Sequence, residues 1–111
     1  MACEFVYRLT GKAEADLDNI LSYVSVQLSN PQAAAAFLEK LQDAISEACS
    51  FPESGSPVDN EFLPSKAIRK KQVGNYIVYY FPDEKAETVN ILRILYGRRN
   101  LDEILREMNL S

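Results

Sequence analysis

The chain contains no histidine. That absence removes the commonest metal ligand and the commonest general base together. A zinc site and a Ser-His-Asp triad are therefore not expected, and no metal or cofactor is. Cysteine is scarce: Cys3 and Cys49 stand 46 residues apart, and neither belongs to a C-x-x-C pair. With no export signal ahead of them, both are read as reduced thiols, Cys49 in the core. The N-terminus, MACEFVYRLT, lacks the basic n-region and apolar h-region of a signal peptide. No apolar run approaches the length of a membrane span. The expectation is a cytoplasmic protein with no membrane partner.

What is present is the composition of an ordinary globular protein. The 111 residues are 47% apolar and 25% charged, which predicts a single domain over residues 1–111. Such a chain buries roughly two-thirds of its unfolded surface. The net charge is −4, unevenly spread. Residues 66–99, KAIRKKQVGNYIVYYFPDEKAETVNILRILYGRR, carry eight basic and three acidic residues, a local charge of +5. The remainder carries four basic and thirteen acidic residues, or −9. A cationic sheet on an acidic helical half is the main pointer to function.

Residues 4–9 alternate and predict a strand, with Phe5, Tyr7 and Leu9 on one face and Glu4, Val6 and Arg8 on the other. Thr10 offers an N-cap, and Glu14, Asp16 and Asp18 suit the helix dipole. Ala13, Leu17, Ile20, Leu21, Val24 and Leu28 predict a first helix of about 16 residues. Asn30 and Pro31 start a second, whose stripe is Ala34, Phe37, Leu38, Leu41, Ala44, Ile45 and Ala48. The short link makes the two an antiparallel hairpin. Residues 50–65, rich in proline and serine, read as a loop.

Three strands follow, at 67–73, 76–81 and 87–96. Gly74-Asn75 makes a two-residue turn, since both residues tolerate positive φ. The strand at 76–81 is apolar on both faces and belongs in the middle of the sheet. In the last, Val89, Ile91, Arg93 and Leu95 alternate against Thr88, Asn90, Leu92, Ile94 and Tyr96. Asn100 and Glu103 resemble a capping box ahead of a short third helix with Leu101, Ile104, Leu105 and Met108. The order β-α-α-β-β-β-α predicts an α+β fold, a helical hairpin packed on a twisted antiparallel sheet with a short C-terminal helix.

This order resembles the RelE/ParE superfamily of bacterial toxin–antitoxin toxins. The resemblance rests on YRLTGKAEADLDNILSY at 7–23, NPQAAAAF at 30–37, FPESG at 51–55, IRKKQVGNYIVYYF at 68–81 and ILRILYGRRNLDEIL at 91–105. It implies a cognate antitoxin whose C-terminal segment wraps the toxin, with contact to DNA only indirectly through that antitoxin. It also implies one of two targets. RelE-like members enter the ribosome and cut mRNA with basic residues and often a C-terminal tyrosine. ParE-like members share the fold, lack the cutting residues and poison DNA gyrase.

A ribonuclease without metal or histidine needs cations to stabilise charge at the phosphate and a group that moves a proton. Arg69, Lys71, Arg93, Arg98 and Tyr96 form that candidate set, with Tyr80 a second candidate for the proton. Against it stand the acidic net charge, which opposes binding among phosphates, and Tyr76, where RelE-like nucleases tend to carry a catalytic arginine. The C-terminal helix also offers no tyrosine. The ParE-like branch is therefore favoured: gyrase bound through Arg93, Tyr96, Arg98 and Arg99, no catalytic residue, and an antitoxin groove at Phe5, Tyr7, Leu21, Val24 and Phe37. The alternatives are the ribosome-dependent nuclease and a degenerate, non-toxic family member.

Overall fold

The computed structural model of the chain describes residues 5–58 and 68–97. The elements run β1 (Val6–Leu9), α1 (Gly11–Ser22), α2 (Pro31–Ser50), β2 (Ser56–Pro57), β3 (Arg69–Val73), β4 (Tyr76–Asp83) and β5 (Thr88–Tyr96). One five-stranded sheet has the order β1-β5-β4-β3-β2. The α+β class and the helical hairpin are as expected, and β4 takes the central place its apolar faces require. The sheet is mixed rather than wholly antiparallel. After two reversals β5 returns beside β1 in the same direction, pairing Val6 with Thr88 through Leu9 with Ile91. The expected helix at 100–108 lies outside the described residues.

Thr10 organises the start of α1. Its hydroxyl accepts from Ala13 N at 3.1 Å, capping the helix, and donates to Leu92 O at 3.0 Å. One side chain thus sets both the helix start and its distance from β5. The helical stripe continues past Ser22 as a π-turn, Tyr23–Gln27. Leu28 N donates to Tyr23 O at 3.1 Å, an i→i+5 bond, while the Ser25 hydroxyl donates to Leu21 O at 2.6 Å. The wider turn breaks the helical phase. Val26 and Leu28 consequently face water, Leu28 being 55% exposed, although its spacing places it on the buried stripe. Ser29, with φ of 49°, ends the run.

Asn30 caps α2 by accepting from Ala33 N at 3.0 Å, with Pro31 at the first helical position. Ala34, Phe37, Leu41, Ile45 and Ala48 are buried against the sheet, and Cys49 joins them. On the sheet side their partners are Val73, Val78, Tyr80, Val89, Ile91 and Ile94. In the β3–β4 turn only Gly74 has positive φ, +61°; Asn75 does not. A β-bulge between Tyr79 and Tyr80 pairs Tyr79 with Arg93 but Tyr80 with Ile91. This skips a residue and overturns the simple alternation in β5. Ile94 therefore joins Val89 and Ile91 on the helix side, while Leu92 and Leu95 pack with Tyr79, Ile77 and Val58 in a second cluster.

The stretch after α2 is more ordered than a loop reading implies. Pro52–Ser54 form a 3-10 turn, and Ser56–Pro57 pair with β3 as an edge strand. The fully buried Tyr80 holds this stretch from beneath. Its hydroxyl donates to Pro52 O at 2.9 Å and accepts from Gly55 N at 2.9 Å. The fit allows no side chain at Gly55: a Cβ there would lie 2.5 Å from the Tyr80 hydroxyl and 2.7 Å from Lys70 O. Tyr80→Phe, which strands both backbone groups, should lose about 1–3 kcal/mol in urea unfolding. Gly55→Ala should lose a similar amount by overpacking, about 1–3 kcal/mol. Wild-type stability in both variants would disprove the latch.

Candidate functional site

The best-defined polar centre lies between α1 and β5. Arg93 donates through Nε to Asp16 Oδ2 at 2.7 Å and through Nη2 to Oδ1 at 3.0 Å. Asp16 Oδ2 also accepts from Ile94 N at 3.0 Å. Both side chains are nearly buried, at 10% and 12% exposure. The two-pronged geometry suits guanidinium and carboxylate, and the backbone bond uses the remaining acceptor capacity. Arg93 is thus a structural cation within the fold rather than part of an open surface. The sequence reading assigns Asp16 to the helix dipole alone and misses this role. A signal exists, because Asp16 follows Ala13 by three residues and precedes Ile20 by four, on the flank of the buried stripe.

The other described cations of the candidate nuclease set, Arg69 and Lys71, are also engaged by the chain. Arg69 Nη1 donates to Gly55 O at 2.6 Å and Glu53 O at 3.2 Å. Lys71 Nζ pairs with the Glu47 carboxylate and donates to Ser54 Oγ at 2.8 Å. Both strap the FPESG segment to β3 and α2. Tyr80, the second candidate for a proton carrier, is buried in the same network. Tyr96 sits elsewhere: it pairs with Tyr76, which pairs with Val73, whereas Arg69 lies opposite Tyr80. That four-residue offset separates Arg69 from the Tyr96 end by about 13 Å along the strand. The described members of the set therefore do not converge on one phosphate-sized site. Lys70 and Lys85 remain exposed. Arg98 and Arg99, like Lys66, lie outside the described residues.

At that end of the sheet the rings form a ladder. Phe37 meets Tyr76 edge-on at 5.2 Å between centroids, and Tyr76 meets Tyr96 at 5.8 Å. Burial raises the Tyr76 phenol above its ordinary value, with added repulsion from the phenolates that Tyr23 and Tyr96 would form. Tyr76 is therefore a neutral phenol at physiological pH. Tyr96 is 46% exposed and, with exposed Tyr23, presents aromatic surface to solvent just before Gly97. Phe37 is buried behind this surface, which removes it from any open antitoxin groove.

The residues assigned to that groove fall into two groups. Leu21 and Val24 are half-buried against the core near the hairpin tip. Phe5 and Tyr7 lie at the opposite end of α2, where Phe5 N donates to Cys49 O at 3.0 Å. The twelve residues from Phe37 to Cys49 set the groups about 18 Å apart. A cavity of about 310 Å³ lies between β1 and α2 beside Phe5, Tyr7, Gln42 and Ile45. β1 is also a sheet edge. Val6 N donates to the carbonyl of Glu87, just before β5, and Thr10 N to that of Ile91 within it. In a parallel ladder the intervening Tyr7 and Leu9 then turn their backbone groups outward. Among the described residues there is no cluster of three potential metal ligands, and no helix is long and apolar enough to cross a membrane.

A two-helix hairpin on a five-stranded mixed sheet is the RelE/ParE toxin architecture. A chain of the chromosomal ParDE toxin–antitoxin system from P. aeruginosa matches it with a TM-score of 0.65 at 21% identity, covering 86% of this chain and 98% of that one. A chain of the toxin–antitoxin complex RelBE2 from Mycobacterium tuberculosis matches with a TM-score of 0.59 at 25% identity, covering 84% and 98%. In sequence, Toxin ParE1 of Caulobacter vibrioides is 31% identical over 86 residues, 78% of this chain and 85% of that protein. The model of the ParE toxin of type II toxin–antitoxin systems, parDE, matches residues 7–101, and the chain belongs to this family.

The Asp16–Arg93 pair makes a direct test of which polar contact holds the helix layer. Asp16→Ala leaves a buried guanidinium without its counter-ion and should cost about 3–5 kcal/mol. Adding Arg93→Met to that variant should restore part of the loss, with denaturant unfolding as the measurement. Additive losses in the double variant would show that the two side chains do not act as a pair.

Proposed function

We propose that this ParE-family toxin acts by binding DNA gyrase, protein to protein, and that a cognate antitoxin holds it inactive in the cytoplasm. Residues 1–111 act as one toxin domain, with no catalytic residue and no cofactor. DNA is met only through the antitoxin. The observation that carries this reading is the use of Arg69, Lys71 and Arg93. Each is engaged by groups of its own chain, Lys71 and Arg93 by carboxylates and Arg69 by backbone carbonyls, which supports a structural use over phosphate binding. The acidic net charge of −4 points the same way, because it repels a nucleic-acid surface at long range.

The target surface in this reading is Tyr96, half-exposed at the end of β5, followed in the chain by Arg98 and Arg99. Aromatic and arginine side chains are the residue types that dominate protein interfaces. Arg93 acts behind them, by holding β5 to α1. The antitoxin engages the other end, at Phe5 and Tyr7, where the β1 edge and the cavity beside it suit an extended segment added to the sheet. Leu21 and Val24 then lie outside this contact. The similarity to Toxin ParE1 and to chains from two toxin–antitoxin assemblies supports a proteinaceous antitoxin.

Purified protein should inhibit gyrase supercoiling, and its induction without antitoxin should arrest growth with filamentation. Tyr96→Ala, Arg98→Ala and Arg99→Ala should each relieve the arrest while leaving the thermal melt unchanged. Unaffected supercoiling at high toxin excess would overturn the gyrase target. Codon-phased mRNA cuts in a translation extract would establish the ribosomal nuclease instead. No growth arrest at all would identify a degenerate member.

A further inference from the structure

The Phe5 end of the molecule carries a second, larger cavity that the assignments above do not use. It is an open groove of about 750 Å³ whose apolar walls include Phe5, Phe51 and Pro52. Phe51 is 68% exposed, and its backbone is fixed. Its N–H donates to Glu47 O at 2.7 Å, its carbonyl accepts from Ser54 N at 2.8 Å, and the next residues are latched by Tyr80 and Arg69. The ring is therefore held in water by a rigid scaffold. Phe5 lines both this groove and the cavity beside β1 and α2, so the two are neighbours.

The groove is charged with one sign. Glu53, from the 3-10 turn, and Glu84 and Glu87, from the β4–β5 turn, line it, and among the described residues no basic one does. Lys85 stands in the same turn without lining the groove. Arg69 donates to the Glu53 backbone carbonyl and does not line the groove. Glu87 is fixed at the root of β1: its carbonyl accepts from Val6 N at 3.0 Å, and its φ is 51°. A pre-formed apolar trough with three carboxylates and no cation among its described lining residues is complementary to an apolar side chain flanked by positive charge. Its position beside the β1 edge, at Phe5 and Glu87, favours an extended chain.

We infer that this groove binds an extended segment of the antitoxin in which a Leu or Phe, seated between Phe5 and Phe51, is flanked by Lys or Arg facing Glu53, Glu84 and Glu87. The inference rests on the antitoxin contact proposed above and adds the charge that selects the partner. An acidic toxin thereby recognises a basic segment, and mismatched antitoxins are rejected by like charge.

Two capped synthetic peptides test it on the full chain: Ala-Lys-Leu-Phe-Arg-Ala and its counterpart with Glu in place of both Lys and Arg. The basic peptide should bind and perturb the Phe5 and Phe51 ring resonances. Glu84→Gln with Glu87→Gln should weaken it about tenfold, since each rim ion pair contributes modestly. Raised salt should weaken it too, and Phe51→Ala should abolish binding. Equal or tighter binding of the acidic peptide, or no binding of either at millimolar concentration, overturns the inference. The double Gln variant should still arrest growth; loss of arrest would assign the groove to the target and also overturn it. Failure of the wild-type chain to arrest growth or inhibit gyrase would instead defeat the target reading, leaving the peptide result to judge the groove.

Discussion

The Asp16 carboxylate solves a problem that the sheet creates. β5 is nine residues long, whereas its outer neighbour β1 has four and ends opposite Ile91. Beyond that point the outward backbone groups of β5 have no strand to meet, and a buried unpaired N–H is costly. Asp16 takes the place of the missing strand by accepting from Ile94 N, and Arg93 neutralises the charge that this requires. With the Thr10 hydroxyl on the bulged Leu92 carbonyl, it ties α1 to β5 at two points along the strand. The apolar packing of Ala13 and Ile20 against Val89, Ile91 and Ile94 then follows in a fixed register.

The same logic accounts for most of the positive charge in the described part of the sheet. Arg69 and Lys71 hold the FPESG segment, and Arg93 holds the helix layer. Among the described residues, these three cations of the basic stretch are therefore ties within the fold rather than parts of an open cationic face. The protein uses them as internal ties, each with a partner from a segment distant in sequence. What the described residues offer for recognition is shape, aromatic surface and, at the Phe5 end, negative charge.

Much of this architecture was legible in the residues themselves. Asn30-Pro31 marks the start of α2, Gly74 marks the hairpin turn, and the two-sided apolar character of residues 76–81 places β4 centrally. The parallel pairing of β1 was not legible, because alternation in a strand is the same whichever neighbour it takes. The bulge at Tyr79/Tyr80 was hidden too: β5 reads as a clean alternation, and only Ile94 in the core reveals the skipped residue. For the site, residue types suggested roles, but they did not reveal partners. Nothing in the spacing of Arg93 and Asp16, 77 positions apart, says that each belongs to the other. The exposure of Phe51 was not legible either, because an aromatic side chain in a loop gives no sign of which way it faces. Its position, a ring held out in water, depends on a tyrosine buried under the loop.

The π-turn at Tyr23–Gln27 has a consequence for how such a toxin can diverge. By breaking phase after Ser22, it separates the tip of the helical hairpin from the pattern that the core imposes on α1. Tyr23, Val26 and Leu28 lie on the tip side of that break, and all are largely exposed. Side chains there can be exchanged without repacking Ala13, Ile20 or the sheet beneath. The fold thus carries a modular tip, in which drift is uncoupled from stability while the helix that supports it stays constrained.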